Sequence, residues 1–212
     1  MLGYYMIEIL YEDKNIIFCV KPVGMSSEED LPKALSEQLK SEIYTLHRLD
    51  TPVGGVMVYA KSKFYAAKFS KKIAENSDFS KTYLTVCEGT FEEEEGVMED
   101  LLFKDSRKNK SFVVKKERKG VKKASLSYKV LDVAECKGKL CSLVSVTLKT
   151  GRSHQIRVQF ASRKHPLLGD GKYGSKINCP LALFSHNIET DGKVFSKNPP
   201  FENPWNLFEV LK

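Results

Sequence analysis

The stretch TLHRLDTPVGGVMVYAKS, residues 45–62, joins a charged turn to an apolar run. VMVYA has no charged residue and is bounded by Gly54 and Gly55 on one side and Lys61 on the other. A short apolar run with β-branched and aromatic content between such boundaries predicts a buried strand. Ahead of it one carboxylate, Asp50, stands beside His47 and Arg48, and the paired glycines let the backbone turn tightly or approach a ligand.

Working outward, YMIEILYEDKNIIFCVKPVGM predicts two short strands around a polar turn at Glu12 to Asn15, the second ended by Pro22 and Gly24. DLPKALSEQLKSE, with leucines at 31, 35 and 39, predicts a helix with Asp30 as N-cap and Pro32 in its first turn. KFYAAKFSKKIAEN predicts an amphipathic helix with Phe64, Ala67, Ile73 and Ala74 inward, and KTYLTVCEG a half-buried, alternating strand. The pattern loosens between Thr90 and Lys123. Strands return on both sides of a turn at Lys137 to Lys139, RSHQIRVQFASRKHP reads as a helix terminated by Pro166, and KNPPFENPWNLF as extended and turn structure. Many strands with few helices between them point to an α+β domain on a mixed, mostly antiparallel central sheet with flanking helices and loops. No repeat or linker divides residues 1–212, so a single domain is expected.

The 212 residues carry 34 Lys or Arg against 27 Asp or Glu, a net charge of +7. A surplus of that size points to a polyanionic partner, most commonly nucleic acid. Five cysteines without a CxxC pair argue against a disulfide framework or a cysteine zinc site and for a reducing cytoplasm. MLGYYMIEILYEDKN lacks the basic start of a signal peptide, and apolar runs of about five residues are too short for a bilayer, which needs about 20. The four histidines lack metal-binding spacing, so no metal is expected.

Several local patterns have plain structural readings. Lys104 to Lys123, ten Lys or Arg against two acids, suits either a phosphate-binding surface or a solvated loop. Glu92 to Glu95 reads as a solvated turn, and GDGKYGS as a glycine-rich turn, since Tyr173 stands where a phosphate loop needs Ser or Thr. HRLD and GRSHQIR are different. A surface ion-pair network accounts for either cluster alone, but two in one basic chain point to a site. A single aspartate acting as nucleophile, kept ionised by a cation such as Arg157, is what these residues permit.

At these residues the chain resembles the RluA family of RNA pseudouridine synthases. HRLDTPVGGVMVYAKS is similar to the motif holding the family's catalytic aspartate, which falls on Asp50. KTYLTVCEG is similar to the second signature, with Tyr83 at the active-site tyrosine. TGRSHQIRVQFASRKHPLLGDGKYG is similar to the third, with Arg157 as the arginine paired with the aspartate and Ile156 against the uracil ring. IIFCVKPVGM, GVKKASLSYKVL and PLALFSHNIE match further segments in order, so the resemblance covers nearly residues 8 to 205. One departure is PVGG, where the family usually has Thr-Ser-Gly.

The resemblance implies the pseudouridine synthase catalytic fold, begun almost at Met1 without a separate N-terminal RNA-binding module. It implies isomerisation of uridine in ribosomal or transfer RNA by a cytoplasmic monomer, without cofactor or metal. Asp50, Tyr83 and Arg157 would be catalytic. His47, Arg48, Arg152, His154 and Ile156 would bind substrate, with Arg48 filling the gap left by the flipped nucleotide or holding a phosphate. The alternatives are a non-catalytic RNA-binding or ribosome-assembly protein on the same scaffold, and a hydrolase with an aspartate nucleophile.

Overall fold

A computed structural model describes residues 6–75 and 78–212. The expected first strand began at Tyr5 and the second helix ran to Asn76; both residues lie outside the described ones. In chain order the elements are β1 (Ile9–Glu12), β2 (Ile16–Lys21), α1 (Asp30–Leu39), β3 (Tyr44–Thr45), β4 (Gly54–Ala60), α2 (Lys63–Glu75) and β5 (Phe79–Glu88). They continue with β6 (Glu95–Asp105), β7 (Lys110–Val114), β8 (Val121–Cys136), β9 (Lys139–Leu148), α3 (Gln155–Ser162), β10 (Leu183–Thr190) and β11 (Lys193–Ser196). This is the expected α+β class. Among the described residues, no helix is long and apolar enough to cross a membrane.

The chain forms two compact units, Met1–Lys81 with Ser185–Asn198, and Thr82–Phe184 with Pro199–Lys212. In the first unit β1, β2 and β4 pair antiparallel, and β11 pairs antiparallel with β10. The β1–β2 turn falls where its polar residues place it, because Asp13 Oδ1 accepts the N–H groups of Asn15 (2.7 Å) and Ile16 (2.8 Å). Every residue of β4 is buried, as the apolar run predicts. Gly55 has φ +119°, and a Cβ there would lie 2.2 Å from Ser185 O, so only glycine lets β4 and β10 approach this closely. The core gathers Phe18, Val56, Val58, Phe69, Phe79 and Ile188.

Two helix expectations are corrected in this unit. The N-cap of α1 is Glu29 rather than Asp30; Ser26 Oγ accepts the N–H groups of Glu28 and Glu29, while Asp30 Oδ2 accepts the N–H of Ser26. In α2 the inward residue is Phe69, with Ile73 packed beside it, while Phe64, Ala67 and Ala74 are exposed. Phe69 and Ile73 hold the core through an i, i+4 stripe on another face of the helix from Phe64.

In the second unit β5, β9, β8, β6 and β7 follow one another side by side, each pair antiparallel. β5 is buried continuously from Tyr83 to Cys87, so the expected alternation is absent: both faces are covered. The loose region between Thr90 and Lys123 holds β6 and β7, whose lysines and glutamates suit an edge hairpin that must stay soluble. Lys137 and Gly138, both with positive φ, make the tight turn between β8 and β9. α3 ends at Ser162, before Pro166; the N–H groups of Arg163 and His165 return to Phe160 O, and Lys164 adopts φ +68°. α3 lies beside β6 and β7, its Val158 packed with Leu102, Ala124 and Tyr173.

Candidate active site

In the first unit the HRLD segment leads from β3 into β4, and Asp50 begins a turn closed by Val53 N–H to Asp50 O at 2.9 Å. The flanking residues Leu49 and Val53 are buried and anchor the turn, while Asp50 is half-buried. Lys21 sits beneath it, 1% exposed, its ammonium donating to the carbonyls of Pro22 (2.9 Å), Met25 (2.7 Å) and Thr51 (3.2 Å). Ser27 grips the other side, donating to Leu49 O at 2.9 Å and accepting Leu49 N–H at 3.1 Å. Burial pushes Lys21 down to about 8, against the pull of Asp50 and Asp30. A buried cation thus adds positive potential near the Asp50 carboxylate while it ties down the turn.

His47 and Arg48 point to different surroundings. His47 Nε2 accepts the N–H of Val58 at 3.2 Å, so the imidazole serves a backbone donor of β4. Burial, reinforced by the charge of Lys81, holds this ring well below the usual histidine range. Arg48 is exposed and pairs with Glu28 at 3.2 Å, a surface pair worth little to stability.

In the second unit Tyr83 lies on β5, opposite Val146 of β9, and is 6% exposed. GRSHQIR forms the loop into α3 and the helix's first turn. Gln155 organises that loop: its Oε1 accepts Thr150 Oγ1–H (2.8 Å) and Arg152 N–H (3.0 Å), and its Nε2 donates to Ser125 O (3.1 Å). Arg152 Nε donates to Lys123 O at 2.9 Å, and Ile156 is buried. His154 takes φ +53° at the helix start, its Nδ1 2.9 Å from the Tyr173 hydroxyl.

Arg157 is buried and forked onto Asp170, Nε to Oδ2 at 2.7 Å and Nη2 to Oδ1 at 2.8 Å. Its guanidinium carbon also lies 5.1 Å from the centre of the Tyr173 ring. Tyr173 accepts Ser111 N–H at 2.8 Å, and burial raises its phenol, partly offset by that bond and by Arg157. The structure therefore joins His154 and Arg157 through Tyr173 and Asp170, to which the sequence reading gave no role. Lys21 was likewise unassigned. GDGKYG could have signalled the pair, because it places a carboxylate and a phenol 13 and 16 residues beyond Arg157.

A model of the RNA pseudouridylate synthase family matches residues 15–162, a stretch that includes Asp50, Tyr83 and Arg157. The chain belongs to this family. The tRNA pseudouridine synthase C of Vibrio cholerae serotype O1 is 30% identical over 189 residues, covering 82% of this chain and 76% of the relative. An uncharacterized RNA pseudouridine synthase of Aquifex aeolicus is 34% identical, over 96% of this chain and 69% of the relative. The ribosomal large subunit pseudouridine synthase D of Borreliella burgdorferi is 31% identical, over 87% of this chain and 61% of its own length, so the chain spans about three fifths of that relative. The solved structure of human RNA pseudouridylate synthase domain containing 1 shares the fold, with a TM-score of 0.81 at 21% identity over 96% of this chain and 87% of that one. This pseudouridine synthase is thus an enzyme whose reaction isomerises uridine in RNA.

Proposed function

We propose that this synthase converts specific uridines of structured ribosomal or transfer RNA to pseudouridine with Asp50 as the catalytic carboxylate. The observation that carries the reading is the Asp50 turn itself: a half-buried carboxylate on a backbone clamped by Lys21 and Ser27, within the segment that matches the family. Asp50 acts while the bond from the sugar to N1 of uracil breaks; the base turns and rejoins through carbon 5, which gives up its proton as N1 gains one. The reaction is redox-neutral and needs no metal or cofactor in this reading. Tyr83, Ile156 and Arg157 are assigned to the same reaction from the register of the second and third motifs, the first two to the uracil ring. Stacking of a base on an aromatic ring such as that of Tyr83 is worth about 1–3 kcal/mol.

The RNA classes follow from the names of the relatives, one acting on tRNA and one on the ribosomal large subunit. His47, Arg48, Arg152 and His154 are read as substrate-side residues, His47 and Arg152 through the backbone they hold. Residues 1–212 are read as one catalytic domain comprising both units, because the family match runs from the first into the second. The protein acts as a monomer in the cytoplasm, where its five free thiols are at home. Mapping pseudouridine in total RNA with and without the gene tests the reading. Loss at discrete ribosomal or transfer RNA positions is expected; an unchanged map would overturn it in favour of a non-catalytic RNA-binding protein.

A further inference from the structure

The basic stretch Lys104 to Lys123 holds ten Lys or Arg against two acids, a net +8, whereas the whole chain is +7. The other 192 residues together therefore carry a net charge of −1, so the chain's entire positive excess resides in these twenty residues. They form the end of the β6–β7 hairpin and the connection into β8. Lys115, Lys116, Lys119 and Lys122 are exposed. Asp105, one of the two acids, caps the hairpin by accepting the N–H groups of Arg107 and Lys108 (3.0 and 3.1 Å), and the other, Glu117, faces Lys123 at 3.7 Å. The acidic run Glu92 to Glu95 lies at the opposite end of β6, about ten residues or roughly 30 Å along the strand.

This cationic segment is bolted to the third motif. Ser111 Oγ donates to Ser153 O at 2.6 Å and Ser111 N–H to the Tyr173 hydroxyl at 2.8 Å, while Arg152 reaches Lys123 O at 2.9 Å. A surface of concentrated, mostly uncompensated lysines fits the phosphates of a nucleic acid, which bind by releasing condensed counterions and without reading bases. We infer that the β6–β7 hairpin and its connection to β8 grip the phosphate backbone of the RNA stem flanking the target uridine. The hydrogen bonds to Ser153, Tyr173 and Arg152 set that grip in register with the third motif. The inference rests on the reading of RNA as substrate but is independent of the role of Asp50.

The test replaces Lys115, Lys116, Lys119 and Lys122 together by glutamine, and compares a control with the same loss of charge, Lys14, Lys33, Lys63 and Lys176 to glutamine. Binding of a labelled RNA stem-loop with one loop uridine is titrated from 50 to 300 mM KCl, and single-turnover conversion of unmodified total RNA is followed at saturating enzyme. Four lost phosphate contacts lower the slope of log Kd against log salt by about 3 and weaken binding about tenfold or more at 100 mM, with the saturated rate within about twofold of wild type. An unchanged slope, or an equal fall in the control set, would overturn the inference. Because the slope is read without turnover, repeating it on Asp50→Asn separates failure of this grip from failure of the catalytic assignment.

Discussion

Asp170 and Arg157 form a two-pronged ion pair, at 2.7 and 2.8 Å, with both side chains buried and Tyr173 against the guanidinium. Such a pair contributes orientation more than net stability, but breaking it from one side is costly. Asp170→Ala is expected to lose about 3–5 kcal/mol in urea unfolding. Asp170→Asn, which keeps the shape and one acceptor, is expected to lose clearly less. Equal stability of Asp170→Ala and wild type would show that the pair does not hold α3 to the GDGKYG turn.

Gly55→Ala places a Cβ 2.2 Å from Ser185 O at φ +119°. Backbone must shift, and a loss of several kcal/mol, about 3 or more, is expected because both overpacking and the backbone conformation oppose the change. Gly192→Ala is the comparison, since φ there is +67° but nothing lies within 4 Å; only the conformational cost of about 1–2 kcal/mol is expected. Thermal unfolding of the two variants orders them.

These residues also mark what sequence could and could not reveal. β4 was legible because its apolar run is unbroken, and the β1–β2 and β8–β9 turns because Asp13 and the Lys137–Gly138 pair fit their local geometry. The face of α2 was misread: Phe64 and Phe69 are both aromatic, and only the tertiary packing selects Phe69. β6 and β7 were hidden by charges that an edge hairpin keeps for solubility. The motifs around Asp50, Tyr83 and Arg157 were readable, yet their support by Lys21 and Asp170 was not, because that support depends on contacts across the fold.

Stability should respond to pH through His47. Burial depresses its folded pKa below the unfolded value near 6.5, so the unfolded chain takes up the proton first. The protein is therefore expected to lose stability as pH falls below about 6.5. His47→Leu deprives Val58 N–H of its acceptor and costs about 1–3 kcal/mol at pH 8. The variant's stability should depend less steeply on pH between 7 and 5, which urea unfolding at each pH measures.

Lys21 extends the same trend to alkaline pH. Its folded pKa of about 8 lies below the ordinary lysine value, so the cost of burying the charge is present below pH 8 and relieved as pH rises toward about 10.5. Activity should move the other way. The neutral amine keeps two N–H donors for the three carbonyls of Pro22, Met25 and Thr51 and no longer adds positive potential near Asp50, so the rate is expected to fall as pH passes about 8. Lys81 is also pushed down to about 8, so the decline should persist in Lys81→Gln and vanish, at a lower plateau, in Lys21→Met.

The central claim is that the carboxylate of Asp50 performs the chemistry. Asp50→Asn keeps the size of the side chain on the turn clamped by Lys21 and Ser27, and removes its charge. RNA labelled with tritium at carbon 5 of uridine reports turnover directly, because that hydrogen leaves as the new bond forms. The account predicts that tritium release by Asp50→Asn stops while binding of the same RNA persists; release at a rate comparable to wild type would contradict it.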